Sequence, residues 1–183
     1  NTSDVFSWRR STDFDHVGTE ARAVRKSVGL SDISSFAKYR VSGPGAADWL
    51  DHILACRLPA VGSMVLAPML KDDGKIIGDF SLSRLDDDSF LIIGSGIAES
   101  YHMRWFLGHL PDTGDVEINS LGLDLVGLTL AGPKSRDVLQ SCVSVDISHD
   151  SMRFMAIKQI DIGMIPAIVG RVSYTGDLGY EIW

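Results

Sequence analysis

A strand, a Gly-Pro step and a helix occur twice in this chain, and that repetition restricts the fold more than any other feature. Tyr39-Arg40-Val41-Ser42-Gly43-Pro44, running on to Asp48-Trp49-Leu50, is matched by Leu128-Thr129-Leu130-Ala131-Gly132-Pro133, running on to Asp137-Val138-Leu139. Asp and Leu stand at equal offsets from the glycine in both. A Gly-Asp pair follows each, Gly78-Asp79 and Gly176-Asp177. The separation is far longer than a solenoid period, so the pattern points to duplication of one α+β unit. Repeats over 37–122 and 123–183 follow, within one domain spanning 1–183. Between two such halves, a ligand site is the natural expectation.

Around these anchors the chain reads as short elements with clear punctuation. Residues 1–15 are polar with scattered aromatics (Phe6, Trp8, Phe14) and read as an irregular arm. Val17, Ala21, Val24 and Val28 recur at helical spacing over 16–28, with Gly29 as the C-cap and a polar loop at 31–35. A strand over 36–42 leads to Gly43-Pro44, with Pro44 at the first helical position of a helix reaching Leu54. Strands are expected over 64–70, 90–94, 116–119, 123–130, 153–162, 165–174 and 180–183, and a helix over 98–110.

Between the first two of those strands, Lys71-Asp72-Asp73-Gly74-Lys75 forms a turn and opens an alternating strand. Ile76, Gly78, Phe80 and Leu82 fall on one side, and Ile77, Asp79, Ser81, Ser83 and Leu85 on the other. Asp79 either points to water from a half-exposed sheet or faces a cavity and meets a ligand carrying donors. Burial without such a partner costs several kcal/mol.

Charge and composition exclude some classes of partner. At 183 residues, 45% hydrophobic and 22% charged, the chain has an ordinary folded composition, while a net charge of −7 argues against nucleic acid or an anionic membrane as partner. No apolar run approaches the ~20 residues of a membrane-spanning helix. Cys56 and Cys142, with no secretion signal, are expected as reduced, mostly buried thiols in a reducing compartment, the cytoplasm or alternatively the mitochondrial matrix. The final segment stops inside an apolar strand, which suggests a fragment truncated at its C-terminus.

Chemistry-bearing residues are few. Gly94-Ser95-Gly96-Ile97-Ala98-Glu99 imitates a dinucleotide-binding turn, yet Glu99 would place a bulky negative group beside a pyrophosphate. His16, His52, His102, His109 and His149 have no metal-ligand spacing, so surface or packed imidazoles are expected and no metal site. The densest polar cluster is Arg171-Val172-Ser173-Tyr174-Thr175-Gly176-Asp177-Leu178-Gly179-Tyr180-Glu181-Ile182. Its glycines allow close backbone approach. Glu181 faces away from Tyr180 and Ile182, either at the wet edge of a twisted hairpin or in a narrow site. There a carboxylate suits a planar ligand edge with N–H donors.

Five motifs in order carry a family resemblance from Trp8 onward. They are Glu20 to Arg25 with Val28 to Lys38, Val41 to Ala46, Gly74 to Asp79, Leu130 to Arg136, and Arg171 to Ile182. The chain resembles the folate-binding aminomethyltransferase family, the T-protein of the glycine cleavage system. It looks most like the tetrahydrofolate-binding region of dimethylglycine and sarcosine dehydrogenases and oxidases. Glycine-cleavage enzymes usually carry a second acid where this chain has Gly78, and the difference favours the dehydrogenase branch.

The resemblance implies an α+β fold of duplicated strand–helix–strand units with largely antiparallel sheets. It also implies transfer of a one-carbon unit from a methylated-amine adduct to tetrahydrofolate, giving 5,10-methylenetetrahydrofolate. On that basis Asp79 is the catalytic residue and Glu181 the pterin-binding carboxylate. Tyr174, Gly78, Arg171 and Tyr101 are grouped with Glu181 as cofactor-binding positions, a tyrosine supplying an aromatic near the pteridine face. The implied partners are folate and a small methylated amine, with FAD only in an oxidoreductase domain upstream in the parent chain. The alternative is a folate-binding module without catalysis, used in regulation or assembly.

Overall fold

Two antiparallel five-stranded sheets lie face to face, each with helices on its outer side. The computed structural model describes Trp8 and residues 10–183; Phe6 and most of the expected arm lie outside the described residues. The helices are α1 (Phe14–Lys26), α2 (Ala46–Ile53), α3 (Glu99–Gly108) and α4 (Ser135–Gln140). The strands are β1 (Gly29–Asp32), β2 (Ala37–Ser42), β3 (Ser63–Leu70), β4 (Ile76–Asp86), β5 (Ser89–Gly94), β6 (Glu117–Ser120), β7 (Leu128–Ala131), β8 (Ile157–Ile162), β9 (Ile165–Gly170) and β10 (Gly179–Ile182). The first sheet runs β3-β4-β5-β2-β6 and the second β1-β7-β10-β9-β8.

Alternation along the strands builds three cores from one sequence pattern. Tyr39, Val41, Phe80, Leu82, Phe90 and Ile92 point from the first sheet to Trp49 and Leu50 of α2 and Phe106 of α3. Leu130, Ile160, Val169 and Tyr180 point from the second sheet to Leu139 of α4 and to Ile147 and Met152. Between the sheets, Leu85, Leu91 and Ile93 meet Ile157, Ile168 and Trp183. β5 contributes to both faces and is therefore apolar from Phe90 onward. The fold is α+β with antiparallel sheets, as expected.

Several local expectations change for identifiable reasons. α1 stops at Lys26, with Ser27 as its C-cap, and Gly29 instead starts β1, which takes residues expected in the 31–35 loop. Pro44 precedes the N-cap Gly45, so it belongs to the turn and not to the first helical position. β7 starts only at Leu128 because Gly127 is tucked under Trp183, where a Cβ would stand 2.1 Å from the indole. β8 starts after Met155, whose φ of +65° breaks the expected strand from 153. β9 ends at Gly170 instead of Tyr174. Cys142 is exposed and Cys56 half-buried, both free, so neither is the buried thiol expected.

The duplicated step has a shared geometry. Gly43 (φ +117°) and Gly132 (φ +126°) make the same turn between strand and helix, and each lies against backbone that a side chain would strike. The later Gly-Asp echo is not structural. Asp79 lies on a strand, whereas Asp177 lies in a turn, paired with Arg25 at 3.0 Å. β1 precedes both proposed repeats and pairs with β7 in the second sheet.

Candidate functional site

Asp79 sits on β4 just after an irregularity. Met69 of β3 pairs with Gly78, but Leu70 pairs with Ile76, leaving Ile77 as an extra residue, a β-bulge. The bulge moves Ile77 to the helix side, where it joins the core with Phe80, not to the Asp79 side that plain alternation predicts. Beyond the bulge alternation resumes. Ser81 and Ser83 lie opposite Ile93 and Leu91, both in the inter-sheet core, so Asp79, two residues before Ser81, is on the face turned to the second sheet. The second sheet does not reach this end: Asp79 and its diagonal neighbour Leu66 (69% exposed) are open to solvent.

Glu181 belongs to the opposite wall. On β10, Tyr180 and Ile182 pack toward α4, which turns Glu181 and Trp183 to the inter-sheet side. Its cross-strand partners are Thr129 and Gly170. Gly170 lies against the first sheet, where a Cβ would stand 3.2 Å from the Met64 sulfur. Burial pushes the Glu181 carboxyl above its usual range, and the Trp183 side chain works in the other direction. A half-buried acid with no cation bound to it among the described residues favours a ligand that brings N–H donors.

The remaining expected positions separate. Arg171 directly follows Gly170, and its Nε and Nη1 are buried without a partner among the described residues. Arg171 thus follows the residue opposite Glu181 in the β10–β9 register, and no ion pair joins the two among the described residues. Tyr174 is 99% exposed in the turn before β10. Tyr101 is half-exposed on α3, next to His102. Gly78 is buried against His102 and Phe80, facing the helix layer and not the inter-sheet side. The strands thus place Arg171 one residue beyond the cross-strand partner of Glu181, while Gly78 faces the helix side of β4, where α3 carries Tyr101.

Two residues near the site were not singled out from sequence. Lys38 is fully buried on β2, its Nζ 2.7 Å from the Ser34 carbonyl and above the Trp183 ring, and burial lowers its pKa. His102 is 3% exposed and contacts the Ile77 carbonyl at 3.2 Å. The spacing of His102 and Phe106, one turn apart on α3, was a usable sign that the imidazole faces the core. The Gly94–Glu99 turn serves packing: a Cβ on Gly96 would stand 1.8 Å from the Ser35 carbonyl oxygen. The Glu99 carboxylate accepts a hydrogen bond from Ser120. Among the described residues no His, Cys, Asp and Glu group has a metal-binding arrangement, and no helix is long and apolar enough to cross a membrane.

Comparison with known proteins supplies the context for this geometry. The profile of the GCVT N-terminal domain matches residues 1–183. Human mitochondrial dimethylglycine dehydrogenase is 34% identical over 97% of this chain and 21% of its own length. An aminomethyltransferase from Anoxybacillus flavithermus is 28% identical over 100% of this chain and 50% of its own. The chain therefore spans between about a fifth and a half of these relatives. The crystal structure of glycine cleavage system aminomethyltransferase T from Bartonella henselae superposes with a TM-score of 0.78 at 23% identity, covering 90% of this chain and 44% of that one, a match of fold. With its whole length matched by that profile, and with the two-sheet fold of an aminomethyltransferase, this chain belongs to the GCVT N-terminal domain family.

Proposed function

We propose that this chain is the tetrahydrofolate-dependent part of a longer enzyme that transfers a one-carbon unit from a methylated-amine adduct, yielding 5,10-methylenetetrahydrofolate. The observation that supports the proposal is that two carboxylates project from the facing sides of the two sheets, Asp79 exposed on β4 and Glu181 half-buried on β10. When bound, tetrahydrofolate supplies the nitrogen that accepts the carbon. Asp79, held on a rigid strand, orients that nitrogen and takes the proton released as the C–N bond forms. Its negative charge also stabilises the cationic carbon under attack. Glu181 grips the planar N–H edge of the pterin, and the Arg171 donors offer a complement to its carbonyl edge. Tyr174 and Tyr101 are the exposed tyrosines and offer aromatic surface to the pterin; Gly78 serves by making room behind Asp79.

Greater identity to dimethylglycine dehydrogenase than to the aminomethyltransferase supports the dehydrogenase branch. In that branch, FAD and oxidation of the amine belong to the parent chain outside these residues, in the cytoplasm or, as the human relative's name suggests, in mitochondria. The test uses the full-length protein. Asp79→Asn lowers methylenetetrahydrofolate formation about 100-fold or more and leaves tetrahydrofolate affinity within a few-fold. Glu181→Gln does the reverse, weakening affinity by about 10-fold or more, as expected for charge-assisted hydrogen bonds. Unchanged product formation by Asp79→Asn removes the catalytic assignment of Asp79, and a wild type that binds tetrahydrofolate without forming product is the non-catalytic folate-binding module. No binding of tetrahydrofolate by the wild type in calorimetric titration removes both.

A further inference from the structure

We propose that His102 is a positioning residue that locks the β4 bulge and thereby fixes the direction of Asp79. The inference rests on the role given to Asp79 above. Ile77 is the extra residue of the bulge, so the β3 ladder does not match it, and its carbonyl meets His102 Nε2 at 3.2 Å. A carbonyl only accepts, so Nε2 carries the proton and donates. The imidazole fits because the neighbouring residue has no side chain: a Cβ on Gly78 would stand 2.6 Å from Nε2. Phe80 closes the other side, its ring edge-to-face with the imidazole at 4.9 Å and 73°. Glycine, imidazole and phenyl ring thus enclose the carbonyl of the bulge residue.

Packing alone does not account for a histidine here. The ring is 3% exposed and its Nδ1 has no partner among the described residues, an unsatisfied state that an apolar side chain would avoid. The bond from Nε2 is what the imidazole provides and a hydrocarbon does not. α3 is also a fixed support. Tyr39 donates to the Glu99 carbonyl at 3.0 Å at its start, and Trp49 donates to the His109 carbonyl at 2.6 Å just past its end. The helix layer therefore reaches through the sheet to the backbone two residues from Asp79. Bulges bend the strand that carries them and recur next to active sites, and here the residue two positions past the bulge is the exposed carboxylate.

The experiment compares His102→Met, which fills similar volume without a donor, with His102→Gln, whose amide N–H reaches the Nε2 position, in the full-length protein. His102→Met is expected to lower kcat about 10-fold or more with KM for tetrahydrofolate within about 2-fold, because misplacement acts on the chemical step. His102→Gln recovers most of that loss. In an Asp79→Asn background His102→Met adds nothing, as expected of groups acting through one another. Hydrogen exchange of the peptide covering Ile76–Phe80 quickens about 10-fold in His102→Met and not in His102→Gln. Should His102→Met fail to fold, Gly78→Ala, which displaces the ring, has to show the same kcat-selective loss and faster exchange. Wild-type kcat or unchanged exchange in the folded variant, or a Gln variant as slow as Met, overturns the positioning role. Faster exchange together with an Asp79→Asn protein of wild-type activity instead upholds the lock and removes the catalytic assignment of Asp79.

Discussion

Glu181 carries opposite signs for stability and for binding. Its folded pKa is raised by burial, so between the ordinary carboxylate value and that raised value the folded state holds a proton that the unfolded state has lost. Stability therefore falls as pH rises through this window, and above it the protein retains the full penalty of a buried charge. Glu181→Gln is expected to raise Tm by roughly 2 °C at pH 7 in thermal unfolding. That gain shrinks as the pH is lowered through the window and is absent below the ordinary carboxylate pKa. A gain that does not depend on pH would assign it to packing. Under the proposed function the same substitution is expected to weaken tetrahydrofolate binding, the trade that arises where a polar group is kept for a ligand. At this scale the sequence was informative about residue type. A carboxylate flanked by Tyr180 and Ile182 had to face away from both, and it does. The sequence carried no sign of Ile77 crossing to the helix side, because a bulge depends on the register of β3, which lies across a turn.

Gly43 and Gly132 show how much of an element a single backbone angle controls. Both lie in the left-handed region, at φ +117° and +126°. A Cβ on Gly43 would lie 2.2 Å from the Asp115 carbonyl oxygen, and one on Gly132 would lie 2.5 Å from that of Ser27. Gly74, in the turn before β4, has φ +80° and open space around it. Gly74→Ala is thus expected to cost about 1 kcal/mol, the conformational strain alone. Gly43→Ala and Gly132→Ala add a backbone collision and are expected to cost about 3 kcal/mol or more, read as midpoint shifts in denaturant at unchanged m-value. Equal losses at all three positions would show that the collision relaxes freely. The strand–Gly-Pro–helix step was legible because glycine and proline mark backbone geometry directly. Strand ends were less so. Residues 123–127 and 171–174 alternate well enough to be strands, but the Trp183 indole occupies the position beside Gly127, and β9 ends at Gly170. Those limits come from contacts distant in sequence, which periodicity does not record.

For the molecule as a whole, the core between the sheets has a different task from the two outer cores. Leu91 and Leu139 are both buried leucines, at 0% and 2% exposure. Leu91 stands between the sheets, with Ile168 and Trp183 across from it, and Leu139 joins α4 to the outer face of the second sheet. Each Leu→Ala change is expected to cost about 2–5 kcal/mol through lost burial and the cavity left behind. Their effects on binding diverge. Asp79 projects from the first sheet and Glu181 from the second, so the spacing of the two carboxylates is set by the inter-sheet core and not by the helix layers. In the full-length protein, Leu91→Ala is therefore expected to weaken tetrahydrofolate affinity about 10-fold, since loosened walls no longer hold both groups in place. Leu139→Ala, at a comparable loss of Tm, leaves affinity within about 2-fold. Calorimetric titration of the two variants at a temperature where both are folded separates the cases. Equal affinities would mean that one wall alone forms the binding site.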